Sequence, residues 1–359
     1  MSDPISALNH LPSDLIEEVL PFLPPKSLGR FKSVSKRWHS LISRPDFIRT
    51  HIRNCKENNY PTHMILVPED EDFLYSVSIK QFSTQTARAT VAAKRLNLQE
   101  PWLRILGSCN GLVLASDIHD NLYLVNPTTR ESLKVPDSGG KSIGGTYGFG
   151  YDFSKDDYKV ISYKVVSDSD LNCNSVHVYS LRNNSWNKLP NFPYQQLKRH
   201  SRHPGVLLNN NLHYVVTSRH STLTIAAFSL ATEEFHEMEL PYSLNNDGPK
   251  CFQVFALDRK LVAVMRGRSH CSELWVMEEY GVSNSWKKHS IFQNVMHLFY
   301  DIFAQVSNRD ILLSNNYGNE FLIHKMDERR CTSVTIEGCQ EITCRGTYVE
   351  SLESLKRFR

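Results

Sequence analysis

Two hydrophobic periods divide this chain near residue 55. Before that point apolar residues recur every three or four positions, a spacing that predicts helices. From about Tyr60 onward, short apolar runs with a period of two alternate with Asn, Gly, Pro and Asp turns. The sequence therefore predicts a small helical unit followed by a much larger all-β region.

Prolines and capping residues divide the helical unit into three predicted helices. The stretch LPSDLIEEVLPFL predicts a first helix, which Pro21 ends or kinks early. Pro24 and Pro25 open a second helix, and Ser35 caps a third, KRWHSLI, which stops before Pro45. The residues predicted to face inward from the first two helices are Leu15, Ile16, Val19, Leu20, Leu23, Leu28 and Phe31.

The stretch FKSVSKRWHSLI is both basic and apolar. Lys32, Lys36 and Arg37 accompany an apolar stripe at helical spacing, which consists of Phe31, Val34, Trp38, Leu41 and Ile42. Three helices in about 35 residues bury too little surface to offset the chain entropy of folding. This stripe therefore needs a partner protein or a neighbouring domain.

A repeat runs through the β region. Six similar runs end at Ser78, Asn126, Ser180, Ser229, Met277 and Lys325, at intervals of 48, 54, 49, 48 and 48 residues. Several are followed by a polar turn and a second strand that carries an aromatic residue, as at Trp186, Phe235 and Trp286. Six such units fit the period of four-stranded propeller blades, and the final stretch, GTYVESLESL, is predicted to complete the first blade and close the ring. A β-sandwich is the competing fold, because alternating strands alone do not distinguish the two.

The tryptophans of the β region allow two interpretations. Repeating aromatic residues in blade strands mostly fill the space between neighbouring blades, and we expect this of Trp186 and Trp286 rather than a ligand cage. Trp102, in LQEPWLRILG, falls outside a clear strand and is a candidate for exposure.

Composition sets limits on the class of protein. The 359 residues are 40% apolar and 22% charged, with 41 Lys and Arg against 38 Asp and Glu, so a net charge of +3 predicts no polyanionic partner for the molecule as a whole. The first 20 residues show no basic region ahead of an apolar core, and no apolar run reaches about 18 residues, so we expect a soluble protein of the cytoplasm, the nucleus or both, with no membrane partner. Eight scattered Cys without a CxxC pair predict neither a zinc ribbon nor a disulfide scaffold.

No catalytic or cofactor motif emerges from the residues. Carboxylates cluster in SKDDYK and MEEY, but strand ends in solvent explain them better than paired catalytic acids do. GTYGFGYD and SGGKS lack the full glycine pattern of a dinucleotide or phosphate loop. HSRH offers at most two metal ligands, so we expect no metal site and no cofactor.

A basic segment between the third and fourth repeats is a candidate target-binding loop, consisting of Lys198, Arg199, His200 and Arg202. A plain solvated loop is the alternative. Nucleic-acid binding is disfavoured because no aromatic residues are interleaved with the charges.

Motifs along nearly the whole chain resemble those of one family. The segments that carry the likeness are LPSDLIEEVLPFLPPKSLGRFKSVSKRWHSLISRPDFIRTH (Leu11–His51), GSCNGLVLAS, LVNPTTRE, GFGYDFSKDDYKVI, VYSLRNNSW, FSLATEEF and ELWVMEEYGVSNSW. In this order they resemble plant F-box proteins with an F-box-associated, kelch-related propeller, a group that includes S-locus F-box proteins and immune-regulatory relatives. Two departures from the family pattern, Pro21 and Gly29, are expected to weaken the F-box locally by about 1 kcal/mol or more.

The resemblance implies an α+β multidomain protein. Its parts are an N-terminal three-helix F-box at 8–53 and an all-β six-bladed propeller at 60–359 that the C-terminal strand closes. It further implies a non-catalytic substrate receptor of an SCF-type E3 ubiquitin ligase. The F-box would dock on a Skp-type adaptor, and so on cullin and RING subunits, while the propeller binds a protein substrate whose identity is left open.

On this reading the residues that form the F-box core and the adaptor-binding surface are Leu11, Pro12, Leu15, Ile16, Leu20, Pro25, Leu28, Val34, Lys36, Trp38, Leu41 and Ile42. The adaptors are acidic, so Lys32, Lys36 and Arg37 are expected to rim the apolar patch. The alternative from another class is a propeller enzyme or carbohydrate-binding lectin with a helical dimerisation segment.

Overall fold

The computed structural model describes most of the chain. The described residues are 13–57, 62–69, 73–83, 89–99, 102–138, 145–164, 175–189, 194, 203–218, 222–241, 250–266, 272–292, 300–307, 310–315, 320–325, 330–339 and 341–358. Within these ranges the chain forms short N-terminal helices and then six β-sheets, which are antiparallel apart from one added strand.

The N-terminal helices begin and end close to the predicted prolines and capping residues. They are α1 (Ser13–Val19) with a 3-10 turn at Leu20–Phe22, α2 (Pro25–Phe31), α3 (Lys36–Ile42) and α4 (Pro45–Glu57). The break at Pro21 and the cap at Ser35 are confirmed, since the Trp38 N–H donates to Ser35 Oγ over 3.1 Å. The prediction of three helices omits α4. Pro45 ends α3, but it also suits the first position of a new helix, where no N–H is needed.

Six sheets form the blades of a propeller, and in each blade the strands follow one another from the inside of the ring outward. Blade 1 consists of β25 (Ile342–Val349), β1 (Thr62–Pro68), β2 (Phe73–Ser78) and β4 (Lys94–Gln99). Blade 2 consists of β5 (Trp102–Cys109), β6 (Leu112–Asp117), β7 (Leu122–Asn126) and β8 (Glu131–Lys134). Blade 3 consists of β9 (Thr146–Asp152), β10 (Asp157–Lys164), β11 (Ser175–Ser180) and β12 (Ser185–Leu189).

The remaining three blades follow the same order, and blade 6 has a fifth strand at its outer edge. Blade 4 consists of β13 (Val206–Leu208), β14 (Asn211–Thr217), β15 (Leu223–Ser229) and β16 (Phe235–Met238). Blade 5 consists of β17 (Lys250–Leu257), β18 (Lys260–Arg266), β19 (Ser272–Met277) and β20 (Trp286–Phe292). Blade 6 consists of β21 (Tyr300–Ser307), β22 (Asp310–Asn315), β23 (Glu320–Lys325), β24 (Arg330–Glu337) and β3 (Ala89–Ala92).

The first strands of the blades form the inner ring. These strands lie side by side in the order β25, β5, β9, β13, β17 and β21. The last of them, β21, contacts β25 and so completes the ring. The six repeated runs are the third strands, and the repeats end where β2, β7, β11, β15, β19 and β23 end. The predicted six-bladed propeller is confirmed, and the β-sandwich alternative is wrong.

Two strands exchange between the ends of the ring and close it. The C-terminal strand β25 pairs antiparallel with β1 from Thr62↔Val349 to Pro68↔Ile342, as predicted. In addition, β3 leaves blade 1 and pairs parallel with β24 of blade 6, with Val334 opposite Ala89. The closure is therefore double, at the inner edge of blade 1 and at the outer edge of blade 6.

The core consists of apolar layers between neighbouring blades. Along β1, Met64 and Leu66 pack against blade 6, whereas Ile65 and Val67 pack against blade 2. Both faces of a blade are thus buried, and successive side chains of an inner strand enter different layers. Gly148 of β9 fits this close packing, because an added Cβ would lie 2.1 Å from the Tyr214 hydroxyl of blade 4.

The tryptophans mostly serve this packing. Trp286 is 7% exposed, and its Nε1 donates to the Glu239 carbonyl over 2.9 Å, while Trp186 is half-buried and packs on the layer between blades 2 and 3. The expectation for Trp102 is wrong. This residue begins β5, is only 5% exposed and packs edge-on against Tyr123, because the strand starts immediately after Pro101.

A buried ammonium joins blades 3 and 4. Lys159 of β10 is 2% exposed, and its Nζ donates to Asp152 Oδ2 over 2.9 Å, and to the Leu230 carbonyl and Glu233 Oε1 over 2.6 Å each. These hydrogen bonds favour the ionised carboxylate and hold the pKa of Asp152 below its usual value, although burial opposes this shift.

We expect Lys159→Ala to lower the free energy of unfolding by about 3–5 kcal/mol, because it leaves the Asp152 carboxylate buried without a counter-ion. Lys155→Ala is the matched control, since Lys155 also pairs with Glu233, over 3.6 Å, but with a 56% exposed side chain. It is expected to cost less than about 1 kcal/mol. Urea unfolding measures both, and similar losses in the two variants would contradict this account.

A buried histidine joins blades 4 and 5. His213 Nδ1 donates to the Val206 carbonyl over 2.9 Å, and its Nε2 accepts from the Tyr280 hydroxyl at 2.8 Å. Burial lowers the pKa of His213 to about 4. The neutral ring is therefore the form that the folded state holds.

This histidine predicts acid sensitivity. Because the unfolded ring binds a proton near pH 6.5 and the folded ring only near pH 4, its contribution is complete above pH 6.5 and is lost as the pH falls toward 4. We expect the loss to reach about 3 kcal/mol. Urea unfolding at intervals from pH 7 to pH 4 should give a steeper decline for the parent than for His213→Gln, and parallel declines would rule out this role.

Candidate functional site

The four N-terminal helices enclose a small apolar core. Its buried side chains, each no more than 9% exposed, are Leu20, Leu28, Leu41, Ile42, Phe47 and, from the far end of the chain, Leu352. Trp38 packs edge-on against Phe31, with their ring centroids 5.1 Å apart. The helical unit thus obtains one of its core residues from the C-terminus.

Helix α1 and its 3-10 extension present two apolar stripes. Ile16, Leu20 and Leu23 recur at i, i+4 and i+7 and pack on the core. A second set with the same spacing, Leu15, Val19 and Phe22, is exposed by 46%, 56% and 56%. An exposed apolar stripe on so small a unit is typical of a protein interface. We call Leu15, Val19 and Phe22 the outer stripe.

A groove lies between α1 and α3 beside these residues. It has a volume of about 260 Å³, and its lining consists of Ile16, Glu17, Arg37, Trp38, Ser40, Leu41 and Arg44. Val34, in the turn between α2 and α3, is 65% exposed. The surface formed by these helices therefore combines exposed apolar side chains with charged and polar ones, among them Glu17, Arg37 and Arg44.

The C-terminal residues 350–358 lie between the helical unit and the propeller. Leu352 enters the helical core, while the Asn126 side-chain amide donates to the Glu353 carbonyl over 2.7 Å and the Tyr158 hydroxyl donates to Glu353 Oε2 over 3.1 Å. Lys26 of α2 pairs with Glu350 at 3.2 Å. This tail therefore contacts α2, blade 2 and blade 3 at once.

Helix α4 adds a second attachment to the propeller. Arg49 pairs with Asp156 over 3.1 Å, and Asp156 also binds Arg357 of the tail over 2.8 Å.

The buried side of α4 carries two titratable groups. His51 is 1% exposed, and its Nε2 donates to the Leu23 carbonyl over 2.9 Å. Burial lowers the pKa of His51, and burial followed by the Glu350 charge raises the pKa of the Cys55 thiol to about 11. The inner side of α4 is thus held neutral.

Comparison with known proteins identifies both parts of the chain. Residues 63–357 match the model of the F-box associated beta propeller domain, and residues 8–50 match that of the F-box domain. This chain belongs to the F-box-associated β-propeller family. It is 30% identical to the F-box protein CPR1 of Arabidopsis thaliana over 310 residues, which are 77% of this chain and 72% of that protein. It is 29% identical to the F-box/kelch-repeat protein At3g23880 of Arabidopsis thaliana, over 78% of this chain and 79% of that protein.

The predicted adaptor-binding residues separate into core and surface. Those in the F-box core are Leu20, Pro25, Leu28, Leu41 and Ile42, and those half-buried are Ile16 and Trp38. Those exposed are Leu15, Val34 and Lys36. Leu11 and Pro12 lie outside the described residues. The groove thus brings Ile16, Trp38 and Leu41 together, whereas Leu28 and Ile42 reach no surface.

Three expectations for the F-box differ from the structure. The sequence predicts that Leu15 and Val19 face inward, but Ile16, Leu20 and Leu23 already fill that side of α1, so Leu15 and Val19 face solvent. Phe22 is missing from the predicted surface residues, although its spacing from Leu15 and Val19 is visible in the sequence. Lys32 does not rim the apolar patch, because it lines a cleft toward the propeller. Gly29 is exposed, and an added Cβ would meet nothing within 4 Å, so packing does not require glycine there.

The propeller has two distinct faces. Turns between first and second strands and between third and fourth strands, such as 153–156 and 127–130, lie on the side of the helices, which we call the helix-side face. In an antiparallel blade the strand ends that flank segment 190–205, at Leu189 and Val206, then lie on the opposite face. Of the predicted target-binding residues, Lys198, Arg199, His200 and Arg202 all lie outside the described residues.

The described residues contain neither a membrane-spanning helix nor a cluster of metal ligands. Within the described part of the chain, no helix is long and apolar enough to cross a membrane. The described residues also contain no group of three or more His, Cys, Asp or Glu side chains placed to hold a metal ion.

Leu352→Ala is expected to loosen the F-box selectively, by about 2–5 kcal/mol, because it opens a cavity in a core of only a few side chains. Hydrogen exchange of the α2 and α3 amides should accelerate by about 30-fold or more, the factor that corresponds to about 2 kcal/mol. Leu355→Ala is the control, since that buried side chain packs on the layer between blades 2 and 3. Equal acceleration in both variants would show that the tail does not complete the F-box core.

Proposed function

We propose that this protein is the substrate receptor of an SCF-type E3 ubiquitin ligase and catalyses no reaction itself. F-box domains in general connect such receptors to a Skp-type adaptor, which in turn carries the cullin and RING subunits. In this proposal the F-box binds the adaptor, and the propeller holds the protein to be ubiquitinated and degraded.

The observation that carries the adaptor proposal is the outer stripe. Leu15, Val19 and Phe22 are about half exposed and are not among the buried side chains of the F-box core, which include Leu20, Leu28 and Leu352. Burying three half-exposed apolar side chains contributes about 25 cal/mol per Å² of apolar surface, which favours association. Lys36 and Arg37 are exposed beside this surface and would accelerate association with an acidic adaptor more than they deepen affinity.

We further propose that the target binds the face of the propeller opposite the F-box. The F-box and the tail 350–358 contact the helix-side face at blades 1 to 3, so a target placed on the opposite face would not compete with them. The basic residues Lys198, Arg199, His200 and Arg202 belong to segment 190–205, whose flanking strand ends reach that face. Their role in target binding stays a prediction.

The adaptor proposal is tested with Leu15→Gln and Val19→Gln together. Glutamine suits a helix, so the F-box should stay folded while the outer stripe loses its apolar area. We expect pull-down of a Skp-type adaptor by the full chain at physiological salt, and a loss of affinity of about tenfold or more in the variant.

The matched control is Ile118→Gln with Val282→Gln. These side chains are 57% and 40% exposed but lie on blades 2 and 5, so adaptor binding should be unchanged. Circular dichroism should show the same fold in both variants. A folded parent that binds no Skp-type adaptor, or equal losses in the two double variants, would overturn the proposal.

A further inference from the structure

A basic cleft opens between the F-box and the helix-side face of blades 1 and 2. It has a volume of about 780 Å³. Its cationic lining consists of Lys26, Arg30 and Lys32 from α2 and its following turn, Lys94 and Arg95 from β4, and Arg130 from the turn after β7. Glu350 is the one acidic residue among the described residues that line it. Although the net charge of the whole chain is only +3, the lining of this cleft has a strong local excess of positive charge.

Most of these cations have no counter-ion among the residues that the structure describes. Lys26 pairs with Glu350 over 3.2 Å, and the guanidinium of Arg95 lies 3.2 Å from the ring centroid of Phe73. Among the described residues, no carboxylate lies within 4 Å of the charged groups of Arg30, Lys32, Lys94 or Arg130. Although solvent and salt screen the repulsion among these exposed side chains, their shared positive potential attracts anions to the cleft.

Glu131, a carboxylate outside the lining that attracts Lys32, is already engaged by other groups. Glu131 attracts Lys32 through space, but its Oε2 accepts the Leu355 N–H at 2.7 Å and the Ser354 hydroxyl at 3.0 Å. Glu131 therefore serves the tail 350–358. Partial burial lowers the pKa of Lys32, the direction expected for an ammonium that lacks a close anion.

The cleft also offers hydroxyl groups. The Thr129 side-chain oxygen is buried and has no hydrogen-bond partner among the described residues, although Thr129 lines the cleft. Ser33 and Ser78 line the same space. The exposed surface of the cleft therefore combines cationic side chains with hydroxyl-bearing residues, both of which bind anionic oxygens.

We propose that this cleft binds a compact small-molecule polyanion that carries several phosphate groups. Its volume lies in the range of small-molecule sites, and Arg and Lys side chains are the groups that bind phosphate oxygens most strongly. Because its cations come from α2, β4 and the turn at Arg130, one ligand would bridge the F-box and the propeller. Binding would then hold the two parts in a fixed relative position.

The experiment is calorimetric titration of the full chain with myo-inositol hexakisphosphate and with inorganic tripolyphosphate, at about 0.15 M salt to suppress weak surface binding. The test variant is Lys32→Gln, Lys94→Gln and Arg130→Gln together. These residues make no ion pair among the described residues, so their loss should not unfold the chain. We expect the parent to bind, and the dissociation constant to rise by about tenfold or more in the variant, because charge-assisted contacts are lost.

The matched control is Lys188→Gln, Arg259→Gln and Lys287→Gln, which removes the same charge from exposed positions on blades 3 and 5. Arg259 has a positive φ of 59°, as Arg130 has at 61°, so the backbone context is also matched. This control should bind as the parent does. Absence of binding by the parent, equal weakening in both triple variants, or equally tight binding of an acidic peptide such as decaglutamate would overturn the proposal.

Discussion

The pairing of β25 with β1 is the interaction on which the rest of the structure depends. A propeller blade buries both faces only if it has a neighbour on each side, so a ring with one open gap exposes two apolar faces and an unpaired strand edge. The pairing from Thr62 to Pro68 closes the gap between blades 6 and 1, and β3 strengthens the closure from the outer edge. The last strand of the chain thereby becomes the inner strand of the first blade.

The same pairing determines where the F-box sits. Strand β25 ends at Val349, and the next residues pass directly beneath the helices, where Glu350 binds Lys26 and Leu352 enters the F-box core. A helical unit too small to enclose its own core obtains the missing side chain from the structure that it must be attached to. Folding of the propeller and completion of the F-box are therefore linked through a few tail residues.

This linkage suits a protein that must present one partner to another at a fixed distance. If only a flexible linker connected the F-box to the propeller, a protein bound to the propeller would sample many positions relative to the rest of the proposed ligase. The Asp156 carboxylate, which binds Arg49 of the F-box and Arg357 of the tail, adds a charged attachment at a second point. The basic cleft lies on the same junction, so the anion proposed to occupy it would act on this geometry rather than on the target.

Much of the architecture was determined by the sequence alone. Six blades were predicted from the period of about 48 residues, the alternation within each run and the turn residues. These patterns also located the third strand of each blade, because they reflect local backbone geometry and burial on both faces. Pro21 and Ser35 marked helix boundaries for equally local reasons. Only the tertiary structure decided which apolar residues of α1 face out, because Leu15 and Leu20 have the same chemistry and differ only in whether neighbouring helices cover them. It also decided that Leu352 belongs to the F-box and that Lys32, Lys94 and Arg130 share one cleft, since residues so distant along the chain meet only when the ring closes.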